Sequence, residues 1–385
     1  VAETVTWATL YYTFPALLLE WEKDLGWSKT ELTGALTLAL LVSASSAPFA
    51  GRIIDRGYGR ILLTGAALFG AAMLIALSQV TQLWQFYTVW FLLGIAMAGS
   101  LYETCFAILT RTMGDTAKRA ITLVTLVAGF AGTIAFPSIS ALSASVGWRG
   151  ALLVFAGAMV VIAAPLFWHA SGMADTQPHA TQLPAGRKTE AALRLIRSPL
   201  FWCISICFIA MALNHGVLIN HLLPLLDERG VNKETAILAI SMLGPMQVLG
   251  RLAMMATERH VSTTAIFISC TLAAATASVS LYAAAAIPAL LVSFVLFQGA
   301  GHGLVSIMRP VLVAEYLGKK DFGLMAGILA AIYFVGYALG PTVGSFIWEI
   351  GGYDRVIEFA ITMAIVACMA LVLLRRLARN RKMPN

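Results

Sequence analysis

The sequence predicts an all-α membrane protein with twelve transmembrane helices arranged as two six-helix repeats. Three observations predict it. The 385 residues are 59% hydrophobic and only 12% charged, with a mean hydropathy of +0.82, where a soluble chain carries about 25% charged residues. The apolar residues fall into twelve runs, most near the ~20 residues that cross a bilayer. Landmarks in the first half recur in the second at one constant spacing. A soluble enzyme, a disordered chain and a nucleic-acid-binding domain are excluded, because such a composition would face water with apolar surface on every side.

Read in order between clusters of glycine, proline and charge, the first six runs are 3–21, 29–51, 61–79, 83–110, 119–143 and 149–170. The second six are 199–226, 233–256, 263–283, 287–316, 322–348 and 354–374. Each is expected to be a helix, since lipid-exposed backbone must satisfy its own hydrogen bonds. Ser28 stands where the second run needs an N-cap, and Asn232 does the same for the eighth. The loop Gly51–Arg60 parts runs two and three, Lys118-Arg119 leads into run five, and Gly147-Trp148-Arg149-Gly150 opens run six. Residues 171–198 are polar, contain two prolines, and divide an N-terminal bundle (1–170) from a C-terminal bundle (199–385). The tail of this linker, Glu190 to Arg197, suits a short amphipathic helix on the membrane surface.

Twelve spans put both termini on one side, and of the 26 basic residues eighteen fall there, among them Arg52, Arg56, Arg60, Lys118, Arg119, Arg259, Lys319 and Arg375. Six fall on the other side, and Arg251 and Arg309 remain inside spans. Basic residues accumulate on the cytoplasmic side. The termini and the linker are therefore expected to be cytoplasmic, in a multi-pass plasma (inner) membrane protein. This distribution accounts for the net charge of +7 without a nucleic-acid partner. The cysteines Cys105, Cys203, Cys207, Cys270 and Cys368 all lie in apolar runs and read as reduced packing residues. Val1 stands close to an apolar run with no charged n-region or cleavage site, so a trimmed start without a visible signal peptide is expected.

An offset of 204 relates the halves. Asp24-Leu-Gly26-Trp-Ser28-Lys29 matches Glu228-Arg-Gly230-Val-Asn232-Lys233, and Gly99, Gly114, Gly132, Pro137 and Gly147 match Gly303, Gly318, Gly336, Pro341 and Gly351. Parallel repeats of this kind hold a substrate near the bilayer midplane and rock one half against the other.

The loop Gly51-Arg-Ile-Ile-Asp55-Arg56-Gly-Tyr-Gly59-Arg60 resembles the signature loop of the major facilitator superfamily, with the final Gly-Arg displaced by one residue. The resemblance extends over the whole chain and implies the major facilitator fold. Within that superfamily the chain is similar to the monocarboxylate transporter-like group. Tyr12-Thr-Phe14-Pro15, Lys118-Arg119 with Ala128-Gly129, Gly147-Trp148-Arg149-Gly150 and Gly340-Pro341 carry the similarity. It implies that Arg251 binds substrate, with Gln247 at the family's acidic or amide position one turn earlier. It implies that Asp55, Arg56 and Gly51 form a conformational switch. The family's span-one lysine is Ala16 here, and its span-one opening motif is absent.

Charge inside a span costs roughly 3 kcal/mol or more and marks a pathway or a pair. The candidates are Glu103, Arg251, Arg309, His215 and His302, with Glu3 and Glu358 nearer span ends. Arg251 either forks onto a substrate carboxylate or snorkels to cytoplasmic water. Arg309 lies about 13 Å from the cytoplasmic end of its helix and needs an acid, a substrate or a wet cavity. Glu103 sits at matching depth on the repeat-mate helix. A Glu103–Arg309 pair would open on protonation, or stand as a permanent structural pair. Glu103 is the foremost proton carrier. His215, grouped with Asn214, Asn220 and His221, is the substitute, while His302, flanked by glycines, reads as a packing residue. Tyr11, Tyr12, Tyr102, Phe130, Tyr333 and Tyr337 fall on cavity helices or their neighbours and suit a small amphiphilic acid, though aromatics are also ordinary span filler. Trp90 occupies the position where proton-linked drug exporters of the superfamily carry an arginine.

The expectation is a secondary transporter of a small monocarboxylate or related organic anion, with a proton as coupling ion. It has no cofactor, metal or enzymatic activity, and works as a monomer in the bilayer. The substrate contacts expected are Arg251, Arg309, Gln247, Tyr12, Tyr102, His215, Asn214, Tyr333 and Tyr337, with Glu103 and His215 for the proton. The alternatives are a proton-linked exporter of hydrophobic or cationic compounds, using Glu103 to hold a cation, and a non-transporting receptor on the same fold.

Overall fold

Helices account for nearly all the described residues, as a bilayer demands. The computed structural model describes the backbone of every residue except 114–115, 173–194, 196, 259, 318–321 and 383–385. Most of the expected linker with its amphipathic tail, and the basic residues Arg259, Lys319 and Lys320, lie outside the described residues. Fourteen α-helices are described: α1 Ala2–Thr6, α2 Thr13–Leu25, α3 Lys29–Asp55, α4 Gly59–Ser78, α5 Leu83–Ser100, α6 Tyr102–Met113, α7 Ala117–Ala128, α8 Ala131–Ala158, α9 Ala164–Gly172, α10 Pro199–Glu228, α11 Lys233–Thr257, α12 Thr263–Ala283, α13 Leu290–Leu312 and α14 Phe322–Lys382. Turns of π-helix at Trp7–Tyr11, Met159–Ala163 and Val313–Leu317 link or extend them.

Among the described residues, nine helical stretches are long and apolar enough to cross a membrane. The protein is therefore a multi-pass, all-helical membrane protein. Two stretches, Arg119–Gly172 and Met325–Arg379, run 54 and 55 residues, well beyond the ~20 residues of one crossing. Each breaks at a glycine in the left-handed region, Gly147 at φ +71° and Gly352 at φ +71°.

The expected caps are present. Ser28 and Glu31 form a reciprocal box: the Ser28 amide donates to Glu31 Oε2 at 2.8 Å and the Glu31 amide to Ser28 Oγ at 3.2 Å. Asn232 Oδ1 accepts from the Thr235 amide at 2.8 Å. The preceding helices end at matching left-handed glycines, Gly26 at φ +71° and Gly230 at φ +69°, so the offset of 204 relates geometry as well as sequence at this corner.

The chain divides into two compact units, Val1–Ala180 with Asn220–Gly244, and Thr181–Ile219 with Pro245–Asn385. The first unit is held by an aromatic core in which Phe14, Trp21, Phe86, Trp90 and Trp148 meet edge to face at 5.1–6.2 Å. Trp90 is fully buried in it. Its rim is clasped by Asp24, which accepts from Trp148 Nε1 and Arg149 Nη1, each at 2.9 Å. In the second unit Phe208 and Phe267 meet at 5.0 Å inside a core shared by α10, α12, α13 and α14.

Candidate functional site

In the first unit, a break between α5 and α6 sets the site. Leu101 is extended (φ −96°, ψ −172°), which frees carbonyls in the preceding turn. The Ser100 hydroxyl donates to Ala96 O and the Thr104 hydroxyl to Ala98 O, both at 2.7 Å, so the break leaves those carbonyls satisfied. Beyond it, α6 starts with Tyr102 and Glu103. Tyr102 packs on Trp7 at 4.9 Å and stacks on Phe106 at 4.9 Å. Tyr11, Tyr12 and Phe136 continue the aromatic lining at 5.2 and 5.7 Å.

The buried carboxyl here is Glu3, not Glu103. Glu3 is 4% exposed, while Glu103 is among the exposed residues. The oxygens of Glu3 meet no donor among the described residues beyond the Cys105 thiol, a weak one. Glu103 lies near enough to act on Glu3 electrostatically. The hydropathy pattern placed Glu3 at a span end; the reason it is buried is that α1 packs against α7, α8 and α9.

Segment 220–244 closes on this lining within the first unit. Asn220 Nδ2 donates to Tyr11 Oη at 3.3 Å, and the Thr133 hydroxyl to Ser241 O at 2.7 Å. Asn220 and Tyr11 thus belong to the first unit, whereas Asn214 and His215 belong to the second. Asn214, His215, Asn220 and His221 share α10 as the sequence groups them, while Asn214 and Asn220 bond to different partners.

In the second unit the polar residues form one connected group. Asn214 Nδ2 donates to Ser278 Oγ and Ala360 O, each at 2.9 Å. Gln298 Nε2 reaches Asn214 Oδ1 at 3.3 Å and His215 Nδ1 at 3.2 Å. His215 lies flat on His302 at 3.3 Å with 8° between the rings. Tyr337 and Tyr333 continue the parallel column at 6.1 and 6.3 Å, and the Arg309 guanidinium caps it 4.6 Å above Tyr333 and 5.1 Å from Phe334. Gln298 was not among the sequence candidates. Its signal was available: it is polar in an apolar run and one turn before His302.

Arg251 is 5% exposed, and its Nε donates to Gly303 O at 2.9 Å. The contact exists because α11 and α13 touch backbone to backbone: a Cβ on Gly303 would stand 2.5 Å from Gln247 O. Gln247 therefore contributes backbone to a helix seam. In the signature loop, Arg111 Nη1 donates to Ile54 O at the end of α3, and Arg60 Nε donates to Trp168 O at 2.9 Å. Gly57 needs its glycine at φ +87°, whereas a Cβ on Gly51 would meet nothing within 4 Å. Asp55 and Arg56 are exposed at the end of α3. No group of three metal-ligating side chains is found among the described residues.

A family model described as the Major Facilitator Superfamily matches residues 1–286 and 252–385. The chain belongs to the major facilitator superfamily. Among curated relatives, this facilitator is 44% identical over 94 residues to "Multidrug resistance protein MdtL" of Klebsiella pneumoniae, a match covering 24% of each chain. The same protein from a second strain is 39% identical over 94 residues, again 24% of each chain. An "MFS-type transporter gkaD" of Penicillium citrinum is 28% identical over 90 residues, covering 23% of this facilitator and 15% of the relative. The chain thus aligns with about a quarter or less of the length of the curated relatives it matches.

Proposed function

We propose that this facilitator is a proton-coupled exporter of hydrophobic or cationic compounds, working by alternating access. One observation carries the proposal: a buried carboxyl, Glu3, with a second one, Glu103, acting on it, beside the aromatic wall of Trp7 and Tyr102. A carboxylate in an apolar setting is neutralised by a proton or by an organic cation, and the two compete for it. Aromatic faces add attraction for the cation and bury an apolar body. Competition at one acid is the simplest route from a proton gradient to export. The printed names of the Klebsiella pneumoniae relatives support the same reading.

The anion reading drawn from the monocarboxylate resemblance would use Arg251 and Arg309. Arg251 already donates from Nε to Gly303 O, and Arg309 lies on Tyr333 and Phe334, so each guanidinium has a structural contact in the fold besides any anion it would hold. The glycine breaks at Gly147 and Gly352, with α1 and α2 counted as one crossing, support twelve spans. With that count go the two bundles 1–170 and 199–385, cytoplasmic termini, an inner-membrane location and the switch role of Gly51, Asp55 and Arg56.

The test is proteoliposome transport with an imposed proton gradient, comparing a lipophilic cation such as tetraphenylphosphonium with a panel of short-chain acids. Gradient-driven cation movement is expected, and its loss in Glu3→Gln and in Glu103→Gln. Movement of acids alone, lost in Arg251→Ala with Arg309→Ala, would overturn the exporter reading in favour of the anion carrier.

A further inference from the structure

We propose that Gln298 is a positioning residue that fixes His215 as the neutral Nε2–H tautomer, making His215 a hydrogen-bond donor in transport rather than a proton carrier. The chain of inference starts at a group whose role has no alternative. The Ala360 carbonyl can only accept, so the nitrogen of the Asn214 amide must face it, at 2.9 Å. The second N–H of that amide goes to Ser278 Oγ at 2.9 Å, and Ser278 can accept because its own proton goes to Ala274 O at 2.9 Å. Asn214 Oδ1 is thereby left as an acceptor toward Gln298. Gln298 must present its nitrogen, at 3.3 Å, and the second N–H of the same nitrogen points to His215 Nδ1 at 3.2 Å. His215 Nδ1 therefore accepts, and the ring proton sits on Nε2.

Flipping Gln298 would set its oxygen against Asn214 Oδ1, two acceptors face to face, and lose that bond. Gln298 is 2% exposed, and its Oε1 has no partner among the described residues, so water does not compensate easily. The titratable and charged groups around His215 are His302 stacked on it from α13, Tyr337 from α14, and Arg251 and Arg309, which act on His302 electrostatically. His302 and Tyr337 meet His215 ring face to ring face, out of the ring plane in which Nδ1 bonds, and the arginines can only donate.

The proposal splits into a tautomer claim, independent of function, and a donor claim, which rests on the transport reading above. For the first, the full chain is labelled with 15N-histidine in lipid nanodiscs, and the His215 signals are assigned by their loss in His215→Gln. An unprotonated Nδ1 and a protonated Nε2 are expected between about pH 6 and 8. In Gln298→Glu the bridging atom becomes an oxygen. As an acid it can donate once, to Asn214; as a carboxylate it cannot donate at all. Either way it faces Nδ1 with a lone pair, and the proton is expected to move from Nε2 to Nδ1 through exchange with water. Gln298→Met, which removes the bridge while keeping the volume, is expected to show both tautomers. A protonated Nδ1 in the wild type, or an unchanged Nδ1 in both variants, overturns the claim.

For the second, His215→Gln sets an amide nitrogen near the imidazole Nε2 position and is expected to keep a reduced but measurable transport whose pH profile is not shifted. His215→Asn sets its amide near Nδ1 and is expected to lose transport. Equal behaviour of the two variants overturns the donor claim. Failure of the wild-type chain to transport anything overturns the transport reading and leaves the spectra to decide the tautomer.

Discussion

Replacing Gly303 by alanine tests whether the α11–α13 seam holds Arg251. A Cβ on Gly303 would stand 2.5 Å from the Gln247 carbonyl oxygen and 2.8 Å from Gln247 Cα. Both atoms are backbone, so no rotamer change relieves them, and the helices must part by about 1 Å to restore contact near 3.5 Å. Overpacking of this kind costs about 1–3 kcal/mol. The same movement stretches the 2.9 Å bond from Arg251 Nε to Gly303 O, an interhelical bond worth roughly 0.6–1.7 kcal/mol in a membrane protein. Together the loss is about 2–5 kcal/mol. Gly65→Ala is the control, because a Cβ there meets nothing within 4 Å and a helical alanine is favoured over glycine by up to about 1 kcal/mol. The assay is thermal unfolding of the purified protein in detergent, followed by a dye that reacts with the buried thiols Cys203, Cys207 and Cys270. If Gly303→Ala unfolds no earlier than Gly65→Ala, the close approach is refuted and Arg251 is available to a ligand.

Three further outcomes follow from the same geometry. Trp90→Ala removes a fully buried ring that meets Phe14 at 5.1 Å and Phe86 at 6.0 Å. It should lower stability by about 3–5 kcal/mol, and thermal unfolding within about 1 kcal/mol of wild type would count against the aromatic core. Asp24 is held below the usual carboxylate range by the Trp148 indole N–H and then by Arg149, so its contribution is full above its ordinary value of 3.8 and fades as pH falls through the lowered one. Asp24 and Arg149 are 50% and 42% exposed, which keeps the contribution under about 1 kcal/mol; the stability gap between wild type and Asp24→Asn should narrow steadily as pH falls below 3.8, and a gap that does not narrow on acidification would show that charge is not its origin. Ser28→Ala removes one half of the capping box and should cost about 1 kcal/mol, whereas Glu31→Ala at its partner position should cost no more than Ser28→Ala with Glu31→Ala combined.

The corners of the fold were readable before any coordinates. Ser28 and Asn232 cap their helices, and Gly26 and Gly230 take the left-handed turn that ends the helices before them. These are local choices, fixed by a few neighbouring residues. The candidate site was readable only in its parts. Arg251, Arg309, His215 and Glu103 stood out as charge or imidazole in apolar runs, but their partners did not. Gln298 lies 83 residues from His215, and Arg251 finds a backbone carbonyl 52 residues away. Glu3 looked like a span-end acid, because hydropathy along one helix does not register the helices packed over it.

The sequence by itself determined that the chain lives in lipid, where capped helices such as α3 and α11 start, and that landmarks of the first half recur in the second. Lipid imposes this: every backbone group must be bonded within its own helix, so composition and caps suffice. The tertiary structure decided which acid is buried, what each arginine holds, and how His215 is oriented. Those depend on how each helix is rotated about its own axis and how closely it approaches its neighbours. Steric contacts such as Gly303 on Gln247 and bonds such as Asn214 to Ala360 set that rotation, and a helix apolar on all sides carries little record of it.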